Sequence, residues 1–149
     1  MGRTILAVIL GYVVMFLLVF LLFTGAYFAM GAEGAFQLGS YSPSALWLAV
    51  SFALGFVAAL AAGCTAVWIG RKMTAGYALA GLVFVLGLVF AIPTIMEPPD
   101  PAAIVRLGDV PNLEAMQNAR QPLWVALVNP FLGAVGVMIG ARLKGAPPA

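Results

Sequence analysis

"ILAVILGYVVMFLLVFLLF", residues 5–23, is a run of 19 residues without a charge or a strongly polar side chain. A helix rises 1.5 Å per residue, so roughly 20 apolar residues cross about 30 Å of hydrocarbon. A membrane barrel strand instead alternates apolar and polar positions over about 10 residues. This run is apolar all round, and it reads as a membrane-spanning helix. A cleaved signal peptide is the competing interpretation, with Arg3 as its charged start and Ala29-Met30-Gly31 as a cleavage site. The apolar core of a signal peptide is shorter, about 7–15 residues, which favours a retained helix.

The rest of the chain repeats the pattern. Of 149 residues, 64% are hydrophobic and only 8% are charged, with a mean hydropathy of +1.09; soluble domains carry roughly 25% charged residues. Charge-free runs cover 4–32, 34–70, 73–96 and 121–141. The expectation is a single all-α integral membrane domain over 1–149, with spans near 4–29, 44–70, 73–96 and 122–142. Loops at 30–43 and 97–121 would then lie on one side, and the four helices would form two hairpins. A lipid anchor is not indicated: Gly2 follows Met1, but Leu6 stands where the myristoylation pattern wants Ser or Thr. The lone Cys64 cannot form an internal disulfide.

The charges divide by face. Arg3, Arg71, Lys72, Arg142 and Lys144 fall on one side with no acid, whereas Glu33, Glu97, Asp100, Asp109 and Glu114 share the other with Arg106 and Arg120. Basic residues in short loops mark the cytoplasmic face. Both termini are therefore expected on the cytoplasmic side of the membrane, and the acidic loops on the other side.

The long acidic loop has its own grammar. Asp100-Pro101 reads as a helix start and Gly108 as a stop, which predicts a short helix over 101–107. A second short helix is predicted near 111–120, with Glu114 in its first turn and Val110, Leu113 and Met116 as an apolar stripe. Asp100, Arg106, Asp109, Glu114 and Arg120 are the candidate docking positions for a partner; the alternative is an ordered but idle connection.

Small residues repeat every fourth position on two faces of the second span. One carries Gly55, Ala59 and Gly63, and the other Ala58, Ala62, Ala66 and Gly70; the fourth span has Gly136 and Gly140, and the third Gly87 and Ala91. In lipid, close backbone approach over such residues holds helices together. They serve either packing within one bundle or, on one face of the second span, a partner or a second copy. The second and fourth spans also share Leu-Trp openings (Leu46-Trp47, Leu123-Trp124) and Ile-Gly endings followed by basic residues, a weak sign of an internal repeat.

Catalytic and cofactor chemistry is sparse. The chain has no histidine and one cysteine, so the usual haem ligand, imidazole metal sites and cysteine-held clusters are missing. No Asp, Glu, Lys or Arg falls within the expected spans, where ion-coupled carriers normally place one. Asn129-Pro130 is the most distinctive polar feature. Pro130 lacks the N–H that would bond the Ala126 carbonyl, so a kink is expected, with Asn129 as a candidate ligand contact or a bridge to another helix. Tyr12, Ser51, Thr65, Tyr77 and Thr94 form no constellation in the sequence, and Pro93 is expected to bend or end the third span.

The opening "RTILAVILGYVV" (3–14), the small-residue second span with its basic turn, and the closing "GAVGVMIGARL" (133–143) resemble small bacterial four-transmembrane-helix proteins that carry no assigned activity. The resemblance implies the four-helix layout and no site residue. The expectation from the residues is a non-enzymatic accessory or structural subunit of a membrane assembly, or a self-associating protein. Its partners would be the bilayer and other membrane subunits or itself, with no cofactor and no nucleic acid. The alternative is a small uncoupled channel or carrier.

Overall fold

The computed structural model describes residues 2–96, 104–108 and 110–145. The chain runs α1 (Gly2–Ala35), α2 (Ala45–Gly70), α3 (Met73–Met96), α4 (Asn112–Gln117) and α5 (Leu123–Lys144). Four of them, α1, α2, α3 and α5, are long and apolar enough to cross a membrane. The protein is all-helical and multi-pass in character.

Local chemistry sets the helix ends. Ser44 starts α2 by accepting from the Trp47 amide at 3.0 Å through its hydroxyl oxygen, which satisfies one of the donors that a helix start leaves free. Arg71 ends the same helix in the left-handed region at φ 54, with its amide donating to the Val67 carbonyl. Only Lys72 then separates it from α3. At the other end, α1 is broken at Gly31, whose φ of 64 and ψ of 179 are not helical. The expected span stopped at 29, but helical structure resumes for a turn after the break and runs to Ala35. The loop to α2 is correspondingly shorter than 30–43.

The spanning helices pack in the order α1, α2, α5, α3. Small residues account for this order. A Cβ on Gly63 would fall on the Val137 carbonyl, and one on Gly140 would fall on the Leu60 carbonyl, so the backbones of α2 and α5 touch directly. Gly136 meets Ala59 and Phe56 at the same interface. The second small-residue face of α2 is covered by α1: Gly11 packs on Ala62 and Ala66, and Ala7 approaches Gly70. Ala58, Ala62 and Ala66 have no exposed surface. Both small faces of α2 are thus used inside the bundle.

Gly87 receives the ring of Pro130, which is buried between α3 and α5. Near the basic end, α3 also reaches α1 through Leu79 against Gly11. The core lies there, formed by Ala59, Ala62, Ala66, Leu79, Ala80, Val83 and Val137. The basic end is tied further by Arg3, whose Nε donates to the Ile69 carbonyl at 2.7 Å. Large apolar side chains elsewhere on the helices, such as Phe16, Phe20, Trp68 and Leu143, point outward.

At the acidic end the described loop residues pack against each other and against the ends of α1 and α2. Of the short helix expected over 101–107, residues 101–103 lie outside the described residues. Of the remainder, Ile104 is still helical, in a 3₁₀ turn, while 105–107 depart from the expectation: Val105 pairs with Ser40 as an isolated antiparallel bridge. The Tyr41 amide donates to Ile104 at 2.7 Å and the Arg106 amide to Gly39 at 2.9 Å. These backbone groups are satisfied across the loops rather than within a longer helix. The second short helix is present over Asn112–Gln117, shorter than the expected 111–120.

Candidate functional site

A cleft of about 600 Å³ occupies the half of the bundle nearer the acidic end. Its walls follow from helix spacing. Tyr12, Met15, Val19, Phe23 and Tyr27 recur every three or four residues and so share one face of α1; Trp47, Ser51, Phe52, Gly55 and Phe56 do the same on α2. Val83, Leu86, Gly87, Phe90 and Ala91 line it from α3, and Val125, Ala126, Asn129, Pro130 and Gly133 from α5. Met116, Ala119, Arg120 and Gln121 stand at the mouth.

The cleft exists because the ring of helices closes unevenly. The α1–α3 side is joined at Gly11 and Leu79, while further along the two helices present facing walls of the cleft. Phe90 lines the cleft and is still 67% exposed, which places it at this side opening. Towards the basic end the floor is sealed by Ala59, Ala62, Ala66, Leu79 and Val137, none with exposed surface. The space therefore opens towards the acidic end and sideways between α1 and α3, and it stops halfway through the bundle.

Aromatic contacts stiffen the upper wall. Tyr27 meets Trp47 edge-to-face at 5.9 Å between ring centroids, and Trp47 meets Phe23 at 6.0 Å. Tyr27 and Trp47 also pack with Phe36, Tyr41 and Ala115 in a second apolar cluster. The Tyr27 hydroxyl donates to the Asn112 carbonyl at 2.6 Å, while the Asn112 side chain accepts from the Ala32 amide at 3.0 Å. Asn112 thereby caps the helical turn that restarts after Gly31, from 80 residues further along the chain.

The expected site residues divide clearly. Ala59, Gly63, Gly136 and Gly140 are packing residues at the α2–α5 interface, as above. Gly55 is not: a Cβ there would meet only the tip of Phe23, at 3.9 Å, and the position faces the cleft. Asn129 and Pro130 both lie at the cleft, with Asn129 exposed to it and Pro130 buried against Gly87.

Among the candidate docking positions, Asp100 and Asp109 lie outside the described residues, and Glu114 and Arg120 are exposed. Arg106 departs from that group, because it is 6% exposed and its Nη2 donates to Glu33 at 2.6 Å. It ties the 104–108 segment to the last turn of α1 and offers no charge to a partner's surface. Of the other polar residues singled out, Tyr12 and Ser51 line the cleft and Tyr77 points outward. The Ser51 and Thr65 hydroxyls donate to carbonyls of their own helix, those of Leu48 and Ala61.

The aromatic wall was not anticipated. In helices apolar on every side, Phe23, Trp47 and Phe90 look the same whether they face lipid or a cavity. The available signal was the aromatic spacing Phe23–Tyr27 and Phe52–Phe56, and it does not say which face is which.

Chemically, the cleft offers an apolar, aromatic enclosure with few polar groups. Its single charged side chain among the described residues is Arg120, at the rim. No family model, curated protein or solved structure matches this chain.

Proposed function

We propose that this is a non-catalytic membrane protein that takes a small, largely apolar molecule from the bilayer into the cleft between α1, α2, α3 and α5. The observation that carries the proposal is the cleft itself: about 600 Å³, within the roughly 300–1,000 Å³ of typical small-molecule sites, with a side opening and a sealed floor. A molecule already dissolved in lipid gains little hydrophobic free energy on entering. Its gain must come from contact with a stiff wall that lipid chains match less well, which Tyr27, Trp47 and Phe23 supply. The sealed floor favours binding over a continuous channel. The division of charge supports an orientation with the cleft's mouth outside the cytoplasm of a bacterial inner membrane. The exposed Glu114 and Arg120 beside the mouth leave a surface for a membrane partner, so an accessory subunit that presents or receives the ligand is the fitting role.

The test uses Gly55→Leu, which puts a side chain into the cleft without displacing backbone. Wild type and variant are placed in nanodiscs, with Trp68 and Trp124 changed to Phe so that Trp47 is the sole donor to 1-butylpyrene. Energy transfer above that expected from random partition is the expected wild-type result. Gly55→Leu should lose at least about half of that excess, given that overfilling a packed site costs about 1–3 kcal/mol, while keeping its melting temperature. Transfer no greater than random partition, or equal transfer in both proteins, overturns the proposal.

A further inference from the structure

Resting on that assignment of the cleft, we infer that the ligand carries one uncharged hydrogen-bonding group, a hydroxyl or a carbonyl, and that Asn129 reads it. Asn129 lies on the cleft-facing stripe of α5 with Val125, Ala126 and Gly133. Its side chain makes no hydrogen bond to another described residue, although it is exposed to the cleft. An amide offers two donors and a carbonyl acceptor. One turn earlier, the Ala126 carbonyl lacks its helical donor because Pro130 has no N–H. The Asn129 amide and a carbonyl deprived of its usual helical donor therefore stand one turn apart on the same helix, among mainly apolar lining residues. Asn129 is seven residues into α5 from Pro122, so this polar spot lies about 10 Å along the helix from the rim.

The class of ligand follows from what surrounds the spot. Arg120 is the single charged lining residue among the described ones, and it is at the rim. An ionised group placed at Asn129 would be desolvated with no countercharge, a severe penalty. A hydroxyl, by contrast, can donate to the Asn129 carbonyl oxygen and accept from its amide nitrogen. A carbonyl can take the amide donors. The remaining walls take a hydrocarbon or ring body. Asn129 is thus a specificity residue that distinguishes a neutral amphiphile from a plain lipid chain.

Three pyrene probes test this in the same nanodiscs, each corrected for partition into protein-free discs: 1-butylpyrene, 1-pyrenebutanol and 1-pyrenebutyrate. The alcohol should bind wild type about tenfold more tightly than the hydrocarbon, the gain typical of one neutral hydrogen bond, and the carboxylate should bind weakest. Asn129→Ala should erase the alcohol's advantage and leave butylpyrene binding unchanged, and Asn129→Gln should restore part of it. Equal binding of alcohol and hydrocarbon by wild type, an advantage that survives Asn129→Ala, tightest binding of the carboxylate, or loss of both probes in Asn129→Ala would each overturn the role of Asn129. Failure of the cleft assignment is separate: butylpyrene would then show no excess transfer, and Gly55→Leu would change nothing.

Discussion

Gly140 has no space for a side chain, because any Cβ would collide with the carbonyl, carbon and Cα of Leu60. Backbone cannot yield as a flexible side chain can, so the helices would have to separate. Gly81, also in a spanning helix, has nothing within 4 Å of its notional Cβ. Gly140→Leu should therefore lower the melting temperature in detergent by about 5 °C or more, taking roughly 2–4 °C per kcal/mol for a chain of this size, while Gly81→Leu should leave it within about 1 °C. Equal melting temperatures for the two variants would show that α2 and α5 are not held by this contact. The contrast also marks what the sequence could reveal at this scale. Gly136 and Gly140 announce a packing face by their spacing, and they do pack. Gly55 belongs to the same series with Ala59 and Gly63, yet it lines open space. The helices diverge beyond the reach of the motif, and spacing along one helix carries no information about that divergence.

Among the elements, the loops at the acidic end are held by one buried cation. The Arg106 guanidinium keeps one bond to Glu33, while its Nε and Nη1 are buried without a partner among the described residues. The Glu33 side chain itself is 61% exposed. Removing the acid leaves a buried charge uncompensated, whereas replacing both members by groups without charge removes the problem. Glu33→Gln should therefore open the loop. Amide exchange at Arg106 and Tyr41, which bond to Gly39 and Ile104, should quicken about tenfold, as expected for loss of a charged hydrogen bond in a partly exposed pair. The double variant Glu33→Gln with Arg106→Met should recover most of the protection. If it exchanges as fast as the single variant, the ion pair is not what holds these strands of loop together. Such an arrangement was illegible beforehand, since Glu33 and Arg106 are separated by 73 positions. The turn signals Asp100-Pro101 and Gly108 spoke for a local helix, and a long-range pairing of Val105 with Ser40 took its place at 105–107. Where local structure was decided by local chemistry, as at Ser44 and the Arg71-Lys72 turn, the boundaries were readable to within a residue.

For the whole molecule, charge and packing share one axis. Arg3, Arg71, Lys72, Arg142 and Lys144 stand where the helices are tightest, and Arg3 is fixed to the end of α2 by its bond to Ile69. Glu33 and Glu114 stand at the opposite end of the bundle, beyond its open half, and both are exposed. Basic residues resist transfer across the membrane during insertion, whereas acidic ones contribute little. The compact end should therefore face the cytoplasm, and the cleft should open on the other side. A reporter active only outside the cytoplasm should work when inserted at Leu113 and be silent when fused after Lys144. The charge argument can be tested on its own terms by replacing Arg71 and Lys72 with Ser. Neither side chain contributes to the α2–α5 interface, so the bundle should still form, but the turn between α2 and α3 would lose both of its charges. Arg3, Arg142 and Lys144 remain, so the expected outcome is a mixed population, with some reporter activity appearing after Lys144 and a matching fall at Leu113. An unmixed wild-type pattern in that variant would mean that the three terminal charges suffice. Reporter activity after Lys144 in the unaltered protein, with silence at Leu113, would turn the cleft towards the cytoplasm and change the source from which its ligand could come.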